Sequence, residues 1–251
     1  MKFAHYRIFI ITVIITAAII ATKYLLHSFG LELIVLGSLH GSVISGVIFV
    51  IGFILSATIS DYKEAERIPA EIASTIEDMN EDVISIYQSY PEFDLTGYQK
   101  QLKKVAKSLA GDLRSSKSDA AKTELYALGR LHADMEKSGV PANFIVKLKQ
   151  QQASLTRHLF RVNYIQKITF IPSSIILAWS IVIIAVALLV FTEVEPFVGG
   201  VVITGAISFI MVYVLQLITV IKTPYHDEGK TKDDVSLFLI DRTIDHLESE
   251  K

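Results

Sequence analysis

Four long apolar runs frame one long stretch of helical periodicity. The runs are Ile8 to about Leu26, a second that begins between Leu33 and Gly41 and runs to Ser60, about Phe170 to Phe191, and Val198 to Ile221. Each approaches the roughly 20 residues that a helix needs to cross hydrocarbon. Lys23 sits near the far end of the first run and is expected to snorkel to the interface. HSFGLE reads as a turn, and LELIVLGSL is apolar enough to be an interfacial or re-entrant piece. TEVEPF reads as a tight hairpin loop, and Pro172 suits the first turn of the third span.

From Asp61 to about Lys167 the pattern changes to amphipathic. Ile68, Ile72, Ile76, Met79, Val83, Ile86 and Tyr90 recur at intervals of three and four, so the second span is expected to continue as a polar-faced helix. Pro69 should kink that helix or mark its restart. PEFDLTG reads as a loop. Tyr98, Leu102, Val105, Leu109 and Leu113 form the next stripe, which SSKS breaks. Leu125, Leu128, Leu131 and Met135 form another, ended by Ser138 to Pro141. Phe144, Leu148, Leu155, Leu159 and Val162 form the last before the third span. Short loops between such helices predict an antiparallel bundle. Val235, Leu237, Leu239, Ile240, Ile244 and Leu247 mark a short amphipathic helix in the tail.

The expected fold is therefore an all-α membrane protein: four transmembrane helices with a helical cytosolic bundle inserted between helices two and three. The expected divisions are a hairpin over 1–60, a helical domain over 61–167, a second hairpin over 168–221 and a tail over 222–251. Lys and Arg concentrate in 61–167 and the tail, while the loop holding Glu193 and Glu195 has neither. The positive-inside rule then puts both termini and the central domain in the cytosol of an inner or plasma membrane. The start MKFAHYR could open a signal peptide, but no small-residue cleavage site precedes Lys23, so it reads as a retained helix.

Composition agrees. The 251 residues are 51% hydrophobic, and the excess lies in the uncharged runs. A net charge of -2 points to no nucleic-acid partner. The absence of cysteine excludes disulfides, thiol catalysis and thiolate metal sites. The seven histidines are scattered, with no metal-ligand spacing on one helix. No phosphate-binding glycine loop or serine elbow occurs, so the chain does not read as an enzyme. Few ionisable groups lie inside the spans, which argues against a proton-coupled carrier.

Ser42, Ser45, Phe49, Phe53, Ser56 and Ser60 share a sector of roughly 80° on the second span at 100° per residue. On the stripe alone a packing seam is the first reading and a pore lining the second, because small residues let membrane helices approach closely. Thr204, Ser208, Met211, Leu215 and Thr219 share a face of the fourth span, where interhelical hydrogen bonding is the default. Glu77, Asp78, Glu81 and Asp82 are expected to be solvated or to face Lys100, Lys103, Lys104 and Lys107 of the next helix, rather than to hold a cation. Asp227, Glu228, Asp233 and Asp234 surround Gly229. Such oxygen donors can hold calcium, but Lys230 and Lys232 interrupt them and a solvated loop is the first reading.

The stretch FVIGFILSATISDYKEAERIPAEI, Phe49 to Ile72, resembles the second membrane helix of the bestrophin family. The run Phe49, Val50, Ile51, Gly52, Phe53 corresponds to the family's pore-narrowing run, and Ile68-Pro69 to its proline break. Lys222-Thr-Pro-Tyr225 stands where the family has an Asn-Pro-Phe-type turn before an acidic stretch. The resemblance covers the whole chain in layout and two short stretches in sequence, and it reverses the order of the two readings of the stripe. It implies a homopentameric channel for small ions, chloride or other anions first, with the second span around a central axis. Phe49 and Phe53 would be the gate, the four serines pore-facing hydroxyls, and Asp61 and Glu64 the cytosolic mouth. The sequence departs from the family at Asp61, where a basic residue is usual, and carboxylate rings favour cations. A cation-selective channel of the same fold is therefore the alternative, and the mixed tail sets calcium gating apart as the weaker implication. A different class also fits the layout: a scaffold resembling flagellar-stator and energy-transducing proteins, which needs a partner subunit. A third is an adaptor in which the second span is only a seam.

Overall fold

The computed structural model describes residues 6–115, 119–167, 172–225 and 234–249. Its elements in chain order are α1 (Arg7–Ser28), β1 (Ile34–Val35), α2 (Ser38–Ser89), α3 (Leu95–Ser115), α4 (Asp119–Lys137), α5 (Ala142–Lys167), α6 (Pro172–Phe191), β2 (Thr192–Glu193), α7 (Phe197–Ile221) and α8 (Phe238–Ser249). Four of these helices, α1, α2, α6 and α7, are long and apolar enough to cross a membrane. The molecule is an integral membrane protein of all-α class. It divides into two units: the described residues of 6–62 and 172–222, and those of 63–167, 223–225 and 234–249.

In the first unit Val47, Ile51 and Ile54 of α2 pack against Ala178, Val182 and Ala185 of α6 and Met211, Leu215 and Ile218 of α7. Apolar burial gives no drive between helices in lipid, so close fit and satisfied polar groups hold such a bundle. Helix α1 lies against α7, where Gly205 admits the Ile20 side chain: a Cβ there would stand 3.0 Å from Ile20 Cδ1. Thr12 and Thr16 of α1 and Thr204 and Ser208 of α7 are buried. The interhelical bonds expected of the α7 hydroxyls do not form at Ser208, whose Oγ has no partner among the described residues, nor at Thr219, which bonds Leu215 O of its own helix. The piece LELIVLGSL is not a re-entrant helix. Its Ile34 and Val35 pair in parallel with Thr192 and Glu193, giving the short strands β1 and β2.

The second unit is an antiparallel set of helices. Tyr98 meets His132 and Asp112 meets Ala121, so α3 and α4 run in opposite directions. Ile68, Ile72, Ile76, Met79, Val83 and Ile86 are all buried, which is the stripe their spacing predicts. Burial of each such side chain contributes about 1.5–3 kcal/mol. Helix α2 does not restart at Pro69; the proline lies inside one 52-residue helix. Helix α3 begins inside the expected PEFDLTG loop, because Asp94 Oδ1 accepts from Gly97 N at 2.8 Å and caps it. Gly97 permits that cap, since a Cβ there would stand 2.1 Å from Asp94 Oδ2. Asp112, buried in α3, likewise accepts from Ala121 N at 2.9 Å in the first turn of α4. Helix α4 ends at Gly139, whose φ of +86° suits glycine, with Val140 N donating to Met135 O at 3.1 Å. On α5 the stripe begins one residue later than expected: Ile145 is buried and Phe144 is exposed.

Candidate pore-lining face

Helix α2 has one committed face and one open face over its first seven turns. The committed face is Val47, Ile51 and Ile54, already packed on α6 and α7. The open face is the stripe. Ser42, Ser45, Phe49, Phe53, Ser56 and Ser60 are all exposed, with Phe49 at 74% and Phe53 at 67%. The 3.6-residue period explains this, because the two sets lie on different sides of one helix.

The hydroxyls on this face differ from several others in the spans. Thr12, Thr58, Ser180 and Thr219 each donate to the carbonyl four residues earlier, at about the same 2.8 Å. Such a bond hides a hydroxyl from hydrocarbon. Among the described residues, Ser42, Ser45, Ser56 and Ser60 form no such bond and remain available to a passing solute or a water. Between Ser38 and Ser60 the helix carries no Asp, Glu, Lys or Arg. His40 is buried, and its Nδ1 lies 3.1 Å from Gly37 N.

Asp61 follows the stripe and is half-buried. Glu64 is committed elsewhere: Arg161 of α5 donates to it through Nε, at 2.7 Å, and through a terminal guanidinium nitrogen. These bonds outweigh burial and hold the Glu64 carboxyl below the usual carboxylate range. Arg161 also lies over the Tyr164 ring at 5.1 Å. One residue beyond Glu64, the Ala65 carbonyl accepts from the Tyr225 hydroxyl at 2.7 Å.

The acidic residues of α2 do not meet the lysines of α3. Asp82 accepts from Lys147 and Gln151 of α5, at 2.6 and 2.9 Å. Glu77 pairs with His246 of α8 at 2.8 Å, and Lys103 and Lys107 both reach Glu248 of α8. The two ammonium groups pull the Glu248 carboxyl down to about 2. Helix α8 takes the place expected for direct α2–α3 pairing: its Glu248 holds both lysines and its His246 holds Glu77. Of the calcium candidates, Asp227, Glu228 and Asp233 lie outside the described residues, and Asp234 is half-buried. Among the described residues no group of three or more His, Cys, Asp or Glu is placed to hold a metal.

A second polar constellation escaped the sequence reading. Lys23 does not snorkel: it is fully buried. Its Nζ donates to Glu32 Oε1 at 2.8 Å, Thr192 O at 2.7 Å and Leu189 O at 3.3 Å. Leu189 lies in the last turn of α6 and Thr192 directly follows it; at such an end carbonyls lack helical partners and the helix dipole is negative. Thr192 Oγ1 adds a bond to Leu188 O at 2.6 Å. Glu32 also takes His27 Nδ1 at 2.7 Å, and the His27 ring stacks on Phe197 at 3.8 Å. Burial pushes the Glu32 carboxyl up, but the bonds from Lys23 and His27 outweigh it and hold it below the usual range. Glu32, an acid close after a lysine-bearing span, was the available signal.

No family model matches the chain, and no curated protein does. Solved structures do. A bacterial bestrophin homologue from Klebsiella pneumoniae, phased with zinc, is 13% identical, covers 97% of each chain and has a TM-score of 0.79. A point variant of the bacterial bestrophin homologue from the same organism gives 13% identity, 97% of each chain and a TM-score of 0.79. A crystal structure described as a membrane-protein variant gives 13%, 96% of this chain, 98% of that chain and a TM-score of 0.81. The chain has the fold of the bacterial bestrophin homologues over almost its whole length.

Proposed function

We propose that the chain is one subunit of an ion channel whose pore is lined by α2. The observation that carries the reading is the open face of that helix. It presents two phenyl rings and four serine hydroxyls without a neighbour, while the opposite face is packed. Several copies arranged about an axis would bring these faces together, and five is the number that the bestrophin resemblance implies. Phe49 and Phe53 then form stacked apolar rings that close the path by dewetting. Ser42, Ser45, Ser56 and Ser60 partly replace an ion's hydration. Both termini and the 61–167 region lie in the cytosol by the distribution of Lys and Arg.

The proposed permeant species are small inorganic ions, chloride or other anions first. Asp61 favours the cation-selective alternative, because a ring of carboxylates at a pore mouth attracts cations. Glu64 is bound to Arg161 and contributes less net charge there. Calcium belongs to the same proposal, held by oxygens of Asp227, Glu228, Asp233 and Asp234. The bond from Val235 N to Pro224 O, at 2.9 Å, joins the residues that flank this stretch. A calcium ion bound there would supply positive charge that draws the four carboxylates together.

Imaging of the purified protein and bilayer recording test the reading together. A ring with α2 innermost, and Phe49→Ala/Phe53→Ala channels that conduct more than wild type, are expected. A monomer or dimer with no central cavity would end it. Equal currents from verified insertion of both proteins would remove the phenyl rings as the gate.

A further inference from the structure

Pro69 removes one hydrogen bond from the middle of α2. In an α-helix the N–H of each residue bonds the carbonyl four residues earlier. Proline has no N–H, and its ring crowds that carbonyl. The residue concerned is Ala65, fully buried, so solvent does not replace the missing donor. A buried carbonyl without a partner is costly, and native proteins pair nearly all of them.

The missing donor is supplied from the far end of the chain. The Tyr225 hydroxyl donates to Ala65 O at 2.7 Å, across 160 residues of sequence. Tyr225 is itself buried, and burial together with the nearby Glu64 carboxylate pushes its phenol above the ordinary range. It therefore stays protonated and remains a donor at any physiological pH. Its backbone is fixed on the N-terminal side. Pro224 precedes it with a locked φ, and Pro224 O accepts from Val235 N at 2.9 Å. Val235 and Leu237 are buried in turn. Tyr225 lies four residues after the end of α7 at Ile221, and Ala65 lies four residues, about one helical turn, after Asp61.

We infer that the Tyr225 hydroxyl replaces the absent Pro69 N–H and is thereby a positioning residue for α2. It completes the hydrogen-bond ladder where the helix would otherwise give way, and ties the segment after α7 to the helix just past Asp61. Loss of the hydroxyl frees Ala65 O and lets α2 bend at Pro69. The effect on conduction rests on the channel reading above, whereas the effect on the helix does not.

A double-mutant cycle on the full-length protein decides it. Tyr225→Phe keeps the ring and removes only the donor. Pro69→Ala restores the backbone N–H, which then takes Ala65 O itself. Tyr225→Phe should lower the apparent Tm by about 3 to 8 °C in the Pro69 background. In the Pro69→Ala background the same change should cost no more than about 2 °C. Hydrogen exchange of the amides from Ile68 to Ile72 should quicken in Tyr225→Phe, and this decides the matter if Pro69→Ala does not accumulate. Equal losses in both backgrounds, or no loss and no faster exchange in the first, would overturn the inference. In bilayers, Tyr225→Phe should change the open lifetime by about threefold or more, a difference of only about RT in barrier height. Pro69→Ala/Tyr225→Phe should match Pro69→Ala. Unchanged lifetimes would overturn the positioning role. A wild-type protein that carries no current refutes the channel reading alone, and the melting cycle still decides the hydroxyl.

Discussion

Acid should loosen the second unit through one buried histidine. His132 of α4 is fully enclosed, and its Nε2 lies 2.9 Å from the Tyr98 hydroxyl of α3. Burial, reinforced by the charge of Lys149, lowers its pKa from 6.5 to about 4. The unfolded chain therefore takes up a proton at a pH where the folded chain does not. Between pH 6.5 and 4 the unfolded state binds more protons, so stability falls as pH falls. The contribution is fully present above 6.5 and lost on the way down to the folded value. Integrating the two titrations gives a loss of about 2 kcal/mol by pH 5 and about 3 kcal/mol by pH 4. At about 2–4 °C per kcal/mol for a chain of this size, the apparent Tm should fall by about 4–8 °C between pH 7.5 and pH 5. Carboxylates add their own losses at lower pH, so the measurement is a difference. Tyr98→Phe/His132→Leu removes the titrating group without leaving the phenol unpaired. Melting both proteins in detergent at half-unit steps should give a steeper slope for wild type between pH 6.5 and 5. Parallel curves would refute the reasoning.

Lys23→Met should be severe, because it leaves Glu32 buried with one partner fewer and the end of α6 uncapped. Removing one member of a buried pair costs about 3–5 kcal/mol. Lys23→Met/Glu32→Gln should recover part of it in the same melting assay, and a single variant within about 1 kcal/mol of wild type would show the bonds to be unimportant. Asp61→Asn should move the reversal potential toward anions in asymmetric salt, and no movement would take Asp61 out of selectivity. Calorimetric titration with calcium should show uptake by the wild type that Asp227→Asn/Glu228→Gln abolishes; no heat from the wild type, or equal heat from both, would remove the calcium proposal.

The architecture was legible because each element writes its own period into the chain. Uninterrupted apolar runs define α1, α6 and α7, and the three-and-four spacing from Ile68 to Ile86 defines the buried side of α2. The stripe on α2 was legible for the same reason: residues that share an angle on a helix share an environment. Periodicity gives an angle but not the identity of the neighbour. Asp82 therefore looked like a partner for the α3 lysines, whereas Lys147 and Gln151 of α5 hold it. The fates of Lys23 and Ala65 were hidden more deeply. Their partners Leu189 and Tyr225 lie 166 and 160 residues away, and no local rule reaches that far. Pro69 announced that a carbonyl would be left over, but only the fold says which side chain answers it.

The arrangement around Lys23 also has a bearing on the order in which the chain is made. Helix α1 is synthesised long before α6, so two of the three oxygens that will hold the ammonium do not yet exist when the first span reaches the bilayer. Glu32 does, nine residues further on. A lone ammonium in hydrocarbon is costly and draws a helix toward the surface, whereas a neutralised pair is less so. The carboxylate is thus the counter-charge at hand from the start, and it stays in place when the end of α6 completes the cage. The residue that stabilises the finished protein is in this sense also an escort for its first span.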